Sequence, residues 1–377
     1  MGQPIRIGLV GSGFMGRCHA NAFRSVGGLF PLALQPVLEL IADIDEAAAT
    51  KAAGALGFRR STGDWRRLVA DPDVDLVAIT TPNALHAPIA LAAIAAGKKA
   101  VYCEKPLAAD PAAAQRMAEA ARSAGAVTMV GFNYLRNPMI RTAGDIIASG
   151  EIGSVIGFRG VYGEDYMANP ATPHSFRTDP AGAGGALHDI GSHLVSLARY
   201  LLGPIEAVVG VTTTIHPARP AHAGESALRQ VEVDDRAVFL ARFASGLVGA
   251  MDVTWAATGR KMQLAFEIAG TRGSLAFTQE RMNELRLYEA GQPAARAGFK
   301  LIESGPAHPP YGAICPAAGH QLGFNDLKII EVAELLQALS GGAPAFPDFA
   351  EGWAVQRTLA AVLESSATGA WVTLPAG

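Results

Sequence analysis

The feature that most constrains this chain is Gly11-Ser12-Gly13-Phe14-Met15-Gly16, which follows the apolar run Ile5–Val10 and opens a stretch of helical character. A backbone that turns from strand to helix in so few residues needs conformational freedom at the turn, and this glycine spacing supplies it. Gly11 permits the tight turn, Gly13 lets the backbone approach a pyrophosphate, and Gly16 lets the helix close on the strand. The first N–H groups of that helix would face the anion. The glycines alone are also compatible with a purely structural βα turn.

Around this turn the first 130 or so residues alternate. Short β-branched or apolar runs stand at Ile5–Val10, Val37–Ala42, Val74–Thr80, Lys99–Cys103 and Val127–Phe132. Ala-rich stretches of helical character lie between them, at Glu46–Leu56, His86–Ala96 and Pro111–Ala124. Such alternation predicts βαβ units, hence an α/β fold that begins with a doubly wound parallel-sheet (Rossmann) domain over residues 1–132. After Asn133 the rhythm changes. A helix is expected at Met139–Ser149, a strand at Ser154–Tyr162, a loop at Gly163–Gly185 and a helix at Leu187–Leu202. Strand-like runs then follow without helices between them: Ile205–Ile215, Asp235–Phe243, Leu247–Trp255, Gln263–Ala269, Ser274–Thr278 and Leu285–Glu289. They predict a C-terminal α+β domain over residues 133–377 with a large open, mainly antiparallel sheet, for substrate binding and oligomerisation. Ser304–Pro316 reads as a long loop. Helices near Asn325–Ser340 and Phe349–Ser366 close the chain and can pack back on the first domain.

Asp43 ends the second strand 27 residues after Gly16, where about 20 are usual for a ribose-binding carboxylate. Residues 28–36, GLFPLALQP, read as an inserted loop, and without those nine residues 18 remain. A carboxylate here accepts hydrogen bonds from a ribose diol and repels a 2′-phosphate, and no Arg follows it. The expected cofactor is therefore NAD, with NADP disfavoured. A plain cap of the next helix is the alternative reading of Asp43. Thr80-Thr81-Pro82-Asn83, with His86 three residues on, forms another loop at the carboxyl end of the sheet, where open α/β sheets bind ligands. Thr81, Asn83 and His86 join Gly11, Gly13, Phe14, Met15, Gly16, Asp43, Glu104 and Lys105 as candidate cofactor contacts, although a Pro turn with an N-cap also explains them.

Two further segments carry chemistry. Cys103-Glu104-Lys105-Pro106 puts a lysine at the end of a strand, where the following proline forces an extended or turned backbone, with a cis bond as one option. Its charge suits a developing alkoxide or a polarised carbonyl. Gly184-Gly185-Ala186-Leu187-His188-Asp189-Ile190-Gly191-Ser192-His193 places Asp189 and His193 four apart, on one face of a helix. An imidazole one turn from a carboxylate fits a general base and an orienting group. In isolation each segment is also compatible with surface decoration or a capped core histidine.

Together, GSGFMGRCH at 11–19, TPNALH at 81–86, CEKP at 103–106 and GGALHDIGSH at 184–193 resemble the Gfo/Idh/MocA oxidoreductases, the family of glucose-fructose oxidoreductase and inositol dehydrogenase. The resemblance implies that Lys105, Asp189 and His193 are catalytic. Stretches at 28–36, 131–138 and 316–328 are similar to family members that act on cyclic sugars. They imply an anhydrosugar, pyranoside or inositol whose ring hydroxyl, at C3, is oxidised to the ketone. Candidate substrate contacts are Lys105, Tyr134, Asp165, Tyr166, Arg177, Asp189, His193 and His320, with Arg136 considered beside them. A glycosidase working through transient C3 oxidation, and a non-catalytic nucleotide-sensing regulator, remain alternatives.

Composition narrows the class. Net charge is −3, from 31 basic and 34 acidic residues, so no basic field points to nucleic acid or an anionic membrane surface. No apolar run is long enough to span a bilayer. No secretory leader is expected, since residues 1–4 lead straight into the strand-like run Ile5–Val10. Cys18, Cys103 and Cys315 form no disulfide framework, and the histidines show no metal-ligand spacing. A cytoplasmic, metal-free homodimer or homotetramer assembled through the C-terminal sheet is expected, the assembly being an implication of the resemblance.

Overall fold

The computed structural model describes residues 2–375. They form two compact units, one from the residues up to Arg136 with Gly323–Gln356, the other from Asn137–Leu322 with the segment from Arg357 onward.

The first unit contains the parallel strands β1 (Gln3–Val10), β2 (Leu34–Ala42), β3 (Arg60–Thr62), β4 (Leu76–Ile79), β5 (Ala100–Cys103) and β6 (Val127–Val130). Their spatial order is β3-β2-β1-β4-β5-β6. Ile5, Ile7, Leu9, Leu76, Val77, Ala78 and Ile79 are buried, as strands covered on both faces must be. The connecting helices are α1 (Phe14–Leu29), α2 (Glu46–Leu56), α3 (Trp65–Ala70), α4 (His86–Ala95) and α5 (Pro111–Ala124). Aspartates start three of them: Asp45, Asp64 and Asp110 accept from backbone N–H groups of the first turn. Strand order reverses between β1 and β4, so the loops after Val10 and Ile79 lie side by side.

The second unit begins with α6 (Pro138–Ala148), β7 (Val155–Gly163), α7 (Ser192–Leu202) and β8 (Ile205–Thr213). A two-stranded ribbon follows, β9 (Ala218–Pro220) with β10 (Leu228–Gln230). Then come β11 (Arg236–Phe243), β12 (Val248–Thr254), β13 (Gln263–Gly270), β14 (Gly273–Thr278), β15 (Glu284–Glu289), β16 (Lys300–Glu303) and the short helix α8 (Tyr311–Ile314). After α9 (Phe324–Leu339), which belongs to the first unit, and α10 (Phe349–Thr368), which begins in the first unit and ends in the second, β17 (Val372–Thr373) completes a nine-stranded sheet. Its order is β16-β15-β14-β13-β7-β12-β11-β8-β17, antiparallel except between β7 and β12. On β11 buried and exposed residues alternate strictly, the mark of a sheet covered on one face. Helix α7 packs on β7.

Three expectations need correction. Residues 28–36 are no inserted loop: α1 runs through Leu29 and β2 starts at Leu34, leaving four residues between them. The long spacing to Asp43 comes from a longer helix and a longer strand, which Pro31 and Pro36 disguised. The stretch 304–316 is not all loop, since α8 lies within it. Strand β3 and helix α3 were not foreseen, being too short to show a period.

Candidate active site

In the first unit the glycine turn is built as its sequence requires. Gly11 has φ +97°, and a Cβ on Gly16 would stand 2.2 Å from the Gly11 carbonyl oxygen. Above Gly13 the space is open. The Thr80 hydroxyl donates to the carbonyls of Val10 (3.0 Å) and Gly11 (2.8 Å), tying the β4 end to the turn. Helix α1 starts at Phe14 with no side-chain cap, and Phe14 is exposed. Asp43 follows β2 directly. One carboxylate oxygen accepts from the Ser12 N–H (3.0 Å) and hydroxyl, the other from the Ile44 N–H (2.7 Å). It does not cap α2, a task Asp45 performs. The Thr81 hydroxyl is buried without a protein partner.

His86, fully buried, faces the carbonyls of Thr81 and Pro106, each at 2.9 Å, and so joins the β4 and β5 loops. Burial lowers its pKa. Lys105 is half-buried, and its bond to Pro106 is cis. The Glu104 side chain turns inward, where its carboxylate meets His19 Nε2 (2.6 Å) and Lys328 Nζ (2.7 Å). Burial raises the Glu104 pKa, but the charge of Lys328 and the bond to His19 more than offset this and hold it well below the carboxylate range. Tyr134 stands edge-on to Phe324 at 6.2 Å. Arg136 is buried against Glu334 and the Phe346 carbonyl.

In the second unit Leu187–Gly191 is wound as a wide π turn that runs into α7, a form often found at functional sites. Asp234 caps it, accepting from the Leu187 N–H at 2.8 Å, and burial pushes the Asp234 carboxyl up to about 6. Asp189 lies in this turn. One of its oxygens accepts from the Tyr166 hydroxyl (2.8 Å) and from Arg177 Nε (3.0 Å). The Arg177 guanidinium stacks over the rings of Phe176 and Tyr166, and Tyr166 stands edge-on to Trp255. His193, in the first turn of α7, is buried with its ring 6.1 Å from that of Tyr162. The loop carrying Tyr166 is tied down by Arg219, fully buried, which donates to the carbonyls of Met167 and Asn169 and to Asp235. Of the substrate-side candidates, Tyr166, Arg177 and Asp189 come together. Asp165 is held elsewhere, by the Gly259 N–H and Lys261, and His320 is exposed on the loop before α9.

Sequence reasoning passed over Ser12, Thr80, Asp234, Arg219 and the inward partners of Glu104. Ser12 and His19 lie inside the quoted glycine motif and were the legible ones. The others act across long sequence separations, and although Thr80 and Lys328 fall within quoted stretches, nothing local marks the contacts they make.

Residues 5–132 match the family described as an oxidoreductase family with an NAD-binding Rossmann fold, and residues 140–276 match a GFO/IDH/MocA C-terminal domain. The chain belongs to the Gfo/Idh/MocA oxidoreductases. It is 40% identical to the levoglucosan dehydrogenase of Pseudarthrobacter phenanthrenivorans, with 99% of each chain covered. The solved complex of levoglucosan dehydrogenase with NADH and levoglucosan matches it with a TM-score of 0.95 at 40% identity, over 99% of this chain and 100% of the other. An inositol dehydrogenase homologue from Azotobacter vinelandii, solved with NADH and myo-inositol, matches with a TM-score of 0.82 at 25% identity, over 99% and 98%. NAD is thus the cofactor of this Gfo/Idh/MocA oxidoreductase. Among the described residues no cluster suited to a metal ion occurs, and no helix is long and apolar enough to cross a membrane.

Proposed function

We propose that the chain oxidises a ring hydroxyl of a cyclic sugar or polyol (an anhydrosugar, pyranoside or inositol) to the ketone, with Lys105, Asp189 and His193 as its catalytic residues. The end-to-end likeness to levoglucosan dehydrogenase, at 99% coverage of both chains, carries the reading.

The first unit fits NAD on its own features. The space above Gly13 admits a pyrophosphate at the uncapped start of α1, and Asp43 is presented for a ribose diol. The orphaned Thr81 hydroxyl has a hydrogen bond to offer. Bound NAD supplies the acceptor for the hydride that leaves the carbinol carbon. His193 takes the proton from the hydroxyl oxygen on that carbon. The Lys105 ammonium stabilises the negative charge that develops on the same oxygen. Asp189, braced by Tyr166 and Arg177, accepts a hydrogen bond from the substrate and orients it. Tyr134, Tyr166, Arg177 and His320 complete the proposed sugar contacts, and Asn83, Phe14 and Met15 the cofactor contacts, while Asp165, held by Lys261 and the Gly259 N–H, is left out. His86, engaged inward, is assigned to joining the loops that hold the cofactor, and Glu104, engaged with His19 and Lys328, to fixing the end of β5 next to Lys105.

We assign cofactor binding to residues 1–132, and substrate binding and assembly to 133–377. The assembly is a homodimer or homotetramer joined through the open sheet face. Three free cysteines, two of them buried, support a cytoplasmic setting. The test is NADH absorbance with anhydrosugars, inositols, free aldoses and glycosides, NAD and NADP in parallel. Stoichiometric NADH with one cyclic class is expected. Sugar release without net NADH would replace the dehydrogenase by a redox-assisted glycosidase.

A further inference from the structure

Lys105 sits between two anchored neighbours, and the anchors come from distant parts of the first unit. On its amino side, the Glu104 N–H donates to the Ile79 carbonyl (2.9 Å) and the Cys103 carbonyl accepts from Gly131 (2.8 Å), so the sheet ladder continues to Glu104. On its carboxyl side, the Pro106 carbonyl is bonded by His86. Successive strand side chains alternate between faces. Tyr102 and Glu104, two apart, therefore turn to the same side, where both meet Lys328, and Lys105 follows Glu104 directly in the bend beyond the strand. Whatever fixes Glu104 inward sets the direction in which Lys105 leaves the strand.

The fixing group is Lys328 of α9, fully buried. Its ammonium donates to Glu104 (2.7 Å), to Glu331 (2.7 Å) and to the Tyr102 hydroxyl (3.0 Å). His19 from α1 bonds the same Glu104 oxygen and stacks on the Tyr102 ring at 4.4 Å between centroids. Burial lowers the Lys328 pKa, but the charges of Glu104 and Glu331 more than offset that and raise it. A buried ion pair is weak evidence for stability, because well-packed neutral groups often serve a fold as well or better. What it does supply is geometry: two of the three Lys328 hydrogen bonds hold Tyr102 and Glu104, the residues that flank Cys103 at the end of β5, and the third ties them to Glu331 of α9.

We propose that Lys328 is a positioning residue, acting through Glu104 to aim Lys105 at the reacting hydroxyl. This rests on the catalytic reading of Lys105. Small errors in the placement of a reacting group cost turnover while leaving remote binding intact.

The test uses the full-length enzyme and the sugar that yields NADH. Glu104→Gln with Lys328→Met removes both charges of this ion pair together and leaves Glu331, the other carboxylate on Lys328, buried without that cation. That pair is expected to lower kcat by about 10- to 100-fold while NADH binding, read by fluorescence, stays within about 2-fold. In a Lys105→Met background the same pair should add less than about 3-fold, because residues acting through one group are not additive. If the double variant does not fold, His19→Gln, which alters one contact of Glu104 and keeps Lys328, is put through the same cycle. Unchanged kcat in a folded variant, or a loss that multiplies fully with Lys105→Met, overturns the proposal. A Lys105→Met enzyme with normal turnover overturns instead the catalytic reading beneath it.

Discussion

His193 bears the heaviest assignment of any single side chain. A general base contributes roughly 10²–10⁴ in rate, so His193→Ala should lose turnover by that factor. It should still bind NADH, since every feature that fits the cofactor lies in the other unit. Stopped-flow turnover and NADH titration separate the two effects. Normal turnover removes His193 from the mechanism, and lost NADH binding makes it structural. Its neighbour Asp189 shows what sequence spacing cannot convey. The motif places an acid four residues before an imidazole, yet what braces that acid is Tyr166 and Arg177, from a loop whose sequence has no period at all.

At the scale of elements, the turn bearing Asp189 depends on Asp234, which begins it from a position 47 residues away. A cap replaced by Ala typically costs about 0.5–2 kcal/mol, while Asn caps as well as Asp. Asp234→Ala should therefore lower the denaturation midpoint and weaken turnover, and Asp234→Asn should keep both near wild type at pH 7. Equal damage from both variants would mean that the charge, rather than the cap, matters. Strands β1, β4, β5 and β6 are legible because strands buried on both faces read as unbroken apolar runs. The second sheet is legible as consecutive strand-like runs with no helix between them. The spacing from Gly16 to Asp43 was misread because two prolines look like a loop when one ends a helix and the other sits within β2. The glycine motif, Lys105 and the Asp189/His193 pair are local patterns and can be read. Asp234, Arg219 and Lys328 act through tertiary contact and cannot.

The whole molecule responds to acid through buried groups in both units. Burial pushes His19 and His188 down to about 4, against about 6.5 when unfolded. Between those values the unfolded chain holds more protons, so their contribution is fully present above about pH 6.5 and fades as pH falls toward 4. Each contributes about 1.4 kcal/mol per pH unit. Asp234 acts the other way: raised to about 6, it takes its proton first in the folded state and offsets about one of the two histidines as pH falls from 6 to 4. The net expectation is a loss of about 2 kcal/mol from pH 7 to pH 5, read from urea midpoints at each pH, with a smaller slope in His188→Gln. A flat profile would mean that one of these groups is not buried as described.

The open face of the nine-stranded sheet is the largest-scale feature that sequence pattern alone does not explain. On strands that alternate inward apolar and outward polar, Val211, Val238, Leu240 and Val248 point outward and are 37–61% exposed. Val238 pairs directly with Val211 across β11 and β8, so these side chains adjoin rather than scatter. Adjoining exposed apolar residues on a sheet face mark an interaction surface more often than a solvated one. A second copy of the chain is the occupant we assign. Val238→Lys with Leu240→Glu leaves the inward residues Ala237, Phe239 and Ala241 untouched, so the fold should persist while the mass by light scattering falls to a smaller species. A wild-type chain that is monomeric at micromolar concentration, or a variant of unchanged mass, would remove the sheet face from the assembly.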